Sequence, residues 1–197
     1  MTTPQGEPGM ATRILDTAEE LVQVRGFNAF SYADVASRLN ITRAGLHYHF
    51  AEKSQLGEAL ISRYTDKFEK ALHDIDASGA SAPAKLAAYT ALYGGVLNSG
   101  RMCLCGMLAA EYQTLAPPMR DAVVGFFDLN EAWLAATLIE GQDGGLVQLN
   151  GSPHDAAHAI IGGLEGAMLM ARLYGDPRRF QVAAEGILAS VVPTGAV

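Results

Sequence analysis

Residues 31–50, "SYADVASRLNITRAGLHYHF", restrict the fold more than any other stretch of the chain. Ser31 with Asp34 three positions later is a capping-box arrangement, in which each end satisfies backbone donors of a helix's first turn. Val35, Ala36 and Leu39 then give a helix two turns long a single buried face. Asn40 tolerates the left-handed conformation that ends this helix, Ile41 plugs the corner, and the Thr42 hydroxyl caps the next one. Two short helices meeting across so tight a turn predict a helix-turn-helix.

Such a unit lays its second helix in the DNA major groove, its first residues facing base edges and its flanks facing phosphates. The residue types fit. Arg43 can fork onto guanine O6 and N7, Thr42 can bond a base or a phosphate, and Ala44 and Gly45 let the backbone approach. His47, Tyr48 and His49 offer donors to phosphate oxygens, Leu46 and Phe50 point back to the core, and Lys53 adds a point charge. The competing reading of such a helix is a solvated basic face; the capped helix and turn before it favour DNA contact.

The chain's formal charge is −7, so a polyanion has to be met by a local basic patch. Residues 38–53 carry Arg38, Arg43 and Lys53 against Glu52 alone. The acidic remainder argues against a non-specific architectural DNA binder, which needs broad basicity.

Helical spacing runs through the rest of the chain. Met10, Ile14, Ala18, Leu21 and Val22 mark a first helix, with Gly26 placed for a left-handed C-terminal cap. Leu56, Leu60, Tyr64, Phe68 and Leu72 mark a long amphipathic helix that ends near "DASGASAP", the most linker-like segment. Beyond Pro83 the breaks are "NSGR", "APP", "EGQDGGLVQLNGS" and "GDP". No β-branched alternation of useful length occurs, so the chain reads as all-α, with about nine helices. The expected organisation is a disordered tail at 1–9, a helix-turn-helix domain at 10–55, a larger domain at 56–192 and a tail at 193–197. Neither a basic-then-apolar leader nor an uninterrupted apolar run of membrane-spanning length is present, which predicts a cytoplasmic protein without a membrane partner.

Residues 10–56 resemble the N-terminal DNA-binding domain of TetR-family transcriptional regulators. The features carrying the likeness are a first helix ending in Gly-Phe, the "FSYADVA" helix, and a recognition helix ending "LHYHF" followed by "KSQL". Position by position, the resemblance implies DNA contacts by Ser31, Thr42, Arg43, Ala44, His47, Tyr48 and Lys53. The family more often has Tyr then His where this chain has His47 then Tyr48, which leaves open which of the two reaches the phosphate. The resemblance also implies a homodimer on a palindromic operator, a repressor more readily than an activator, and a small effector bound in the C-terminal bundle.

Ala159, Gly163, Ala167 and Ala171 recur every four residues and permit close helix approach, within the subunit or between two subunits. With Ala184, Ile187 and Leu188 of the last helix they are the expected dimer surface. Met102, Met107, Tyr112, Phe126, Phe127, Trp133 and Met168 are the expected lining of an adaptable, mostly apolar effector pocket, although each residue type also suits an ordinary core.

Two rival sites remain. Cys103 and Cys105 beside Arg101 could form a redox or electrophile sensor if their thiols had lowered pKa values. Positions two apart on a helix point about 200° away from each other, which favours a buried structural role. His154 and His158 have metal-ligand spacing on one helical face, but no third ligand is evident, and Ser152, Pro153 and Asp155 read as a helix start. We therefore expect neither an enzyme nor a cofactor or bound metal.

Overall fold

The computed structural model describes residues 9–193, so the tails expected at 1–9 and 193–197 lie outside it apart from Gly9 and Pro193. Nine α-helices and no strand occur among the described residues. Helix α1 (Met10–Arg25) buries Ile14, Ala18, Leu21 and Val22, the residues its spacing selects. It ends at Gly26 with φ +93 and ψ 162, a glycine conformation, yet extended rather than the left-handed helical cap the sequence suggests.

Helix α2 (Tyr32–Leu39) starts at the Ser31–Asp34 box, with the Ser31 amide donating to Asp34 Oδ2 at 2.7 Å. Asn40 closes it at φ 53, ψ 46, in the left-handed region. The Thr42 hydroxyl accepts from the Gly45 amide at 3.1 Å and opens α3 (Arg43–His49). Local side-chain chemistry thus defines where these two helices begin and end.

Helix α4 (Lys53–Ala77) runs unbroken through the domain boundary expected at residue 55. One rigid rod therefore belongs to both parts, and "DASGASAP" is only its turn into α5 (Ala82–Asn98). Then follow α6 (Leu104–Ala110), a single 3-10 turn at Tyr112–Thr114, α7 (Pro117–Asp143), α8 (Pro153–Tyr174) and α9 (Arg178–Ala189). Helix α7 has the length and apolar content of a membrane span, with a mean hydropathy of 1.4 over its best window. It packs against α4, α5, α6 and α8 as the central helix of the bundle.

The bundle's middle is aromatic. Phe68 lies 5.3–6.3 Å, ring centre to ring centre, from Tyr64, Tyr89, Tyr93 and Phe126, mostly edge to face. Pairs in this geometry contribute about 0.5–1.5 kcal/mol each beyond area burial. Asn130, fully buried on α7, accepts from Tyr89 Oη at 3.0 Å and donates to the Phe126 carbonyl at 2.7 Å, so a buried amide is satisfied within the core.

Candidate functional site

Helix α3 has seven residues and a single fully buried anchor, Leu46. Behind it, Tyr32 donates to the Phe50 carbonyl at 2.9 Å, and burial, with help from Glu52, pushes that phenol up to about 12. The Tyr32 ring also lies 4.8 Å from that of His47, tilted by 58°, and His47 Nδ1 sits 3.0 Å from the Ala51 carbonyl. If Nδ1 carries the proton, Nε2 is free to face outward. Tyr32 therefore orients His47, a role the sequence did not disclose.

The outer face of α3 presents Thr42, Arg43, Ala44, His47, Tyr48 and His49 to solvent, Tyr48 at 86% of its full exposure. Ser31 is exposed as well, its hydroxyl donating to Asp34 at 2.6 Å and helping to hold that carboxyl below its ordinary range. Arg38 is paired with Glu20 at 3.0 Å. Arg43 has no ion pair among the described residues, which makes it the free guanidinium of the patch.

Lys53 departs from expectation. Its amine donates to the Phe27 and Phe30 carbonyls, both at 2.5 Å, and lies 4.5 and 4.3 Å from the centres of those two rings. Burial lowers its pKa. A cation bound this way fastens the α1–α2 turn to the start of α4 and is not extended toward a phosphate. The carbonyls that capture it come from residues 23 and 26 positions earlier, beyond the range of local spacing rules.

That turn is held from the opposite side by the C-terminal part. Glu111 Oε2 accepts from the Phe27 amide at 2.7 Å, and Glu111 Oε1 from the Asn28 amide at 3.2 Å. Asn28 Nδ2 donates to Thr114 Oγ1 at 2.7 Å. A Cβ at Gly26 would lie 2.8 Å from Glu111 Oε1, so this glycine supplies room as well as conformation. Arg172 of α8 donates to the carbonyls of Gln23 and Val24, and the Met102 amide donates to Gln23 at 3.1 Å. Carbonyls at the end of α1 that lack an intrahelical partner thus find donors in the other domain.

The seven expected effector residues do not form one lining. Met102, Phe126 and Met168 are fully buried core, and Phe127 packs half-buried on Phe126 at 5.2 Å. Met107 lies under Arg172, and Tyr112 is exposed beneath the Arg120 guanidinium. Trp133 stacks on Tyr89 at 5.5 Å and donates to Asp76 at 2.9 Å. Two grooves, about 580 Å³ between α8 and α9 and about 500 Å³ between α5 and α9, are lined by none of these seven side chains.

The small-residue stripe is likewise relocated. Ala167, Ala171 and Ala184 are buried within the subunit, and a Cβ at Gly163 would come 2.8 Å from Ile187 Cδ1. The stripe is the α8–α9 packing seam, with Ile187 and Leu188 half-buried beside it and Ala159 exposed. The apolar residues turned outward are Leu169, Met170, Leu173 and Tyr174 on α8 and Val182 on α9.

Cys103 and Cys105 are both buried, and burial pushes both thiols well above their ordinary range. This is the opposite of the lowered, accessible thiolate that a sensor needs. Cys103 Sγ instead accepts from the Gly106 amide at 3.4 Å, capping α6. His158 is paired with Glu131 at 3.0 Å, and His154 is exposed.

One further polar residue of α8 stands out. Glu165 is the one carboxylate in the apolar run 156–171, and it sits largely buried beside Cys103. An isolated acid within an apolar helical stretch marks either a functional group or a local polar network.

Comparison with known proteins finds one family for both parts of the chain. Residues 14–60 match the pattern described as bacterial regulatory proteins, tetR family, and residues 82–187 match the tetracyclin repressor-like C-terminal domain. A TetR transcriptional regulator from Legionella pneumophila is 37% identical and superposes with a TM-score of 0.85, over 93% of this chain and 97% of that one. A TetR-family regulator from Agrobacterium tumefaciens is 30% identical, with a TM-score of 0.89 over 92% and 97%. The transcriptional regulator AcuR of Cereibacter sphaeroides is 26% identical over 177 residues, 86% of this chain and 81% of that protein.

Proposed function

From its membership of the TetR family of DNA-binding transcriptional regulators, to which this chain belongs and which are not enzymes, we infer a ligand-responsive cytoplasmic repressor acting as a homodimer on a palindromic operator. The observation that carries this reading is the outer face of α3, where Thr42, Arg43, Ala44, His47 and Tyr48 stand exposed around a single buried anchor. Arg43 reads a guanine, and Thr42, Tyr48 and His47 Nε2 position the helix on phosphates. Lys53 contributes by fixing the α1–α2 turn.

Pairing is supported by the outward apolar residues of α8 and α9, since Leu173 at 71% and Val182 at 65% exposure are unfavourable in water. A two-fold axis there sets two recognition helices one DNA turn, about 34–36 Å, apart. A small effector with a mostly apolar body, lodged among the bundle helices, favours an arrangement in which the two α3 helices no longer fit successive major grooves.

Selection of random duplexes on the purified full-length protein tests the reading. An inverted repeat is expected, and Arg43→Ala should lose about 1–3 kcal/mol of discrimination at one position per half-site while its helical content is unchanged. Absence of any enriched sequence, or a variant that keeps full discrimination, would refute it.

A further inference from the structure

Glu165 lies on α8 against α6, where Gly106 has no side chain and a Cβ would collide with the carboxylate. Its Oε1 is sealed from solvent and has no hydrogen-bond partner among the described residues. Its other interaction is with the Cys103 thiol, and no Lys, Arg or His among the described residues pairs with it. Its neighbours are themselves weak acids: the thiols of Cys103 and Cys105 and the phenols of Tyr89 and Tyr93 are all pushed up by its charge as well as by burial. A buried carboxylate without a cation is unfavourable, and its burial raises its pKa accordingly.

The hydrogen-bond inventory next to it is one-sided. Tyr89 donates to Asn130 Oδ1 at 3.0 Å, so across the 3.2 Å phenol pair Tyr93 must donate to Tyr89. Asn130 Nδ2 donates to the Phe126 carbonyl, and the Cys103 thiol lies beside Glu165. These donors are engaged within the protein, and what remains is a carboxyl oxygen without a donor, beside aromatic rings. A complementary ligand must bring N–H donors and a positive charge.

We propose that Glu165 anchors the effector site, and that the effector is a small organic ammonium ion whose N–H groups bond the free carboxylate oxygen while its apolar body lies against Tyr89 and Tyr93. This rests on the ligand-responsive reading above and names its ligand class. Because Oε1 is sealed and the carboxylate lies against Gly106, a ligand that reaches it displaces α6. Helix α6 is seven residues long and leads directly into Glu111, which grips the Phe27 and Asn28 amides of the DNA-binding part. Occupation at Glu165 is thereby transmitted to the α1–α2 turn.

The test titrates the full-length protein calorimetrically, without DNA, with three probes of one carbon skeleton: isopentylammonium, isopentanol and isovalerate. Isopentylammonium should bind about tenfold or more tighter than isopentanol, the margin expected of a hydrogen bond to a charged group, and Glu165→Gln should abolish that preference. Equal binding of amine and alcohol, preference for isovalerate, no binding of any probe, or an amine preference that survives Glu165→Gln overturns the proposal. Should the variant fail to fold by circular dichroism, the wild-type amine-to-alcohol comparison still decides. Since no DNA is present, failure of the operator reading and failure of this one are separately visible.

Discussion

Removal of the Glu111 carboxylate by Glu111→Ala should loosen the joint between the two parts by a calculable amount. The Phe27 amide, partly buried and 2.7 Å from Oε2, is left without an acceptor, whereas the exposed Asn28 amide turns to water. Stranding one partly buried donor costs about 1–3 kcal/mol, and the charge adds little because Glu111 is half-exposed. For a chain of this size each kcal/mol shifts the melting midpoint by about 2–4 °C, so a fall of about 2–12 °C is expected. Glu111→Gln keeps an acceptor oxygen and should lose less than half as much. Urea and thermal unfolding measure the total, and hydrogen exchange locates it, with faster exchange at Phe27 and Asn28 and none of the change in α8. A loss below about 0.5 kcal/mol, or a glutamine variant as unstable as the alanine one, would show that this bond is not a mechanical link.

Leu46→Ala should destabilise the DNA-binding part by about 2–5 kcal/mol, because Leu46 is the only fully buried side chain of α3; a urea midpoint shifted by less than about 1 kcal/mol would contradict that anchoring role. Leu173→Glu should convert dimer to monomer in light scattering at unchanged helicity, and a variant that remains dimeric would move the two-fold interface off this face of α8. Glu165 has a folded-state pKa raised above the ordinary 4.5, so its contribution to stability is full below 4.5 and is lost as pH rises through the raised value. Glu165→Gln is neutral throughout and should gain on the wild type across that window; a difference between them that does not vary with pH would disprove the shift.

Much of the DNA-binding part was legible because its rules are local. The Ser31–Asp34 box, the left-handed Asn40 and the Thr42 cap each involve residues within three positions of one another, and all three occur as read. The bonding of Lys53 was not legible because its carbonyl partners lie on a turn brought in by tertiary packing. Small residues every fourth position specify close approach without naming the partner helix, and here α9 of the same subunit occupies the seam. Apolar and aromatic residue types did not separate lining from core: Phe126 and Met168 are simply filled interior. The informative polar residues of the bundle were Asn130 in α7, which its neighbours Asp128 and Glu131 keep from standing out in the sequence, and Glu165 in α8, the one carboxylate in an apolar run.

The grips on the end of α1 bear on how such proteins exchange parts. Glu111, Thr114, Met102 and Arg172 reach across to residues 23–28, so a chimaera built by joining residues 10–55 to another regulator's body would leave those contacts behind. The portable unit in recombination is the reading head together with the gripping residues that flank α6 and Arg172 on α8, and a graft made without them should bind DNA yet ignore the inducer of its new host.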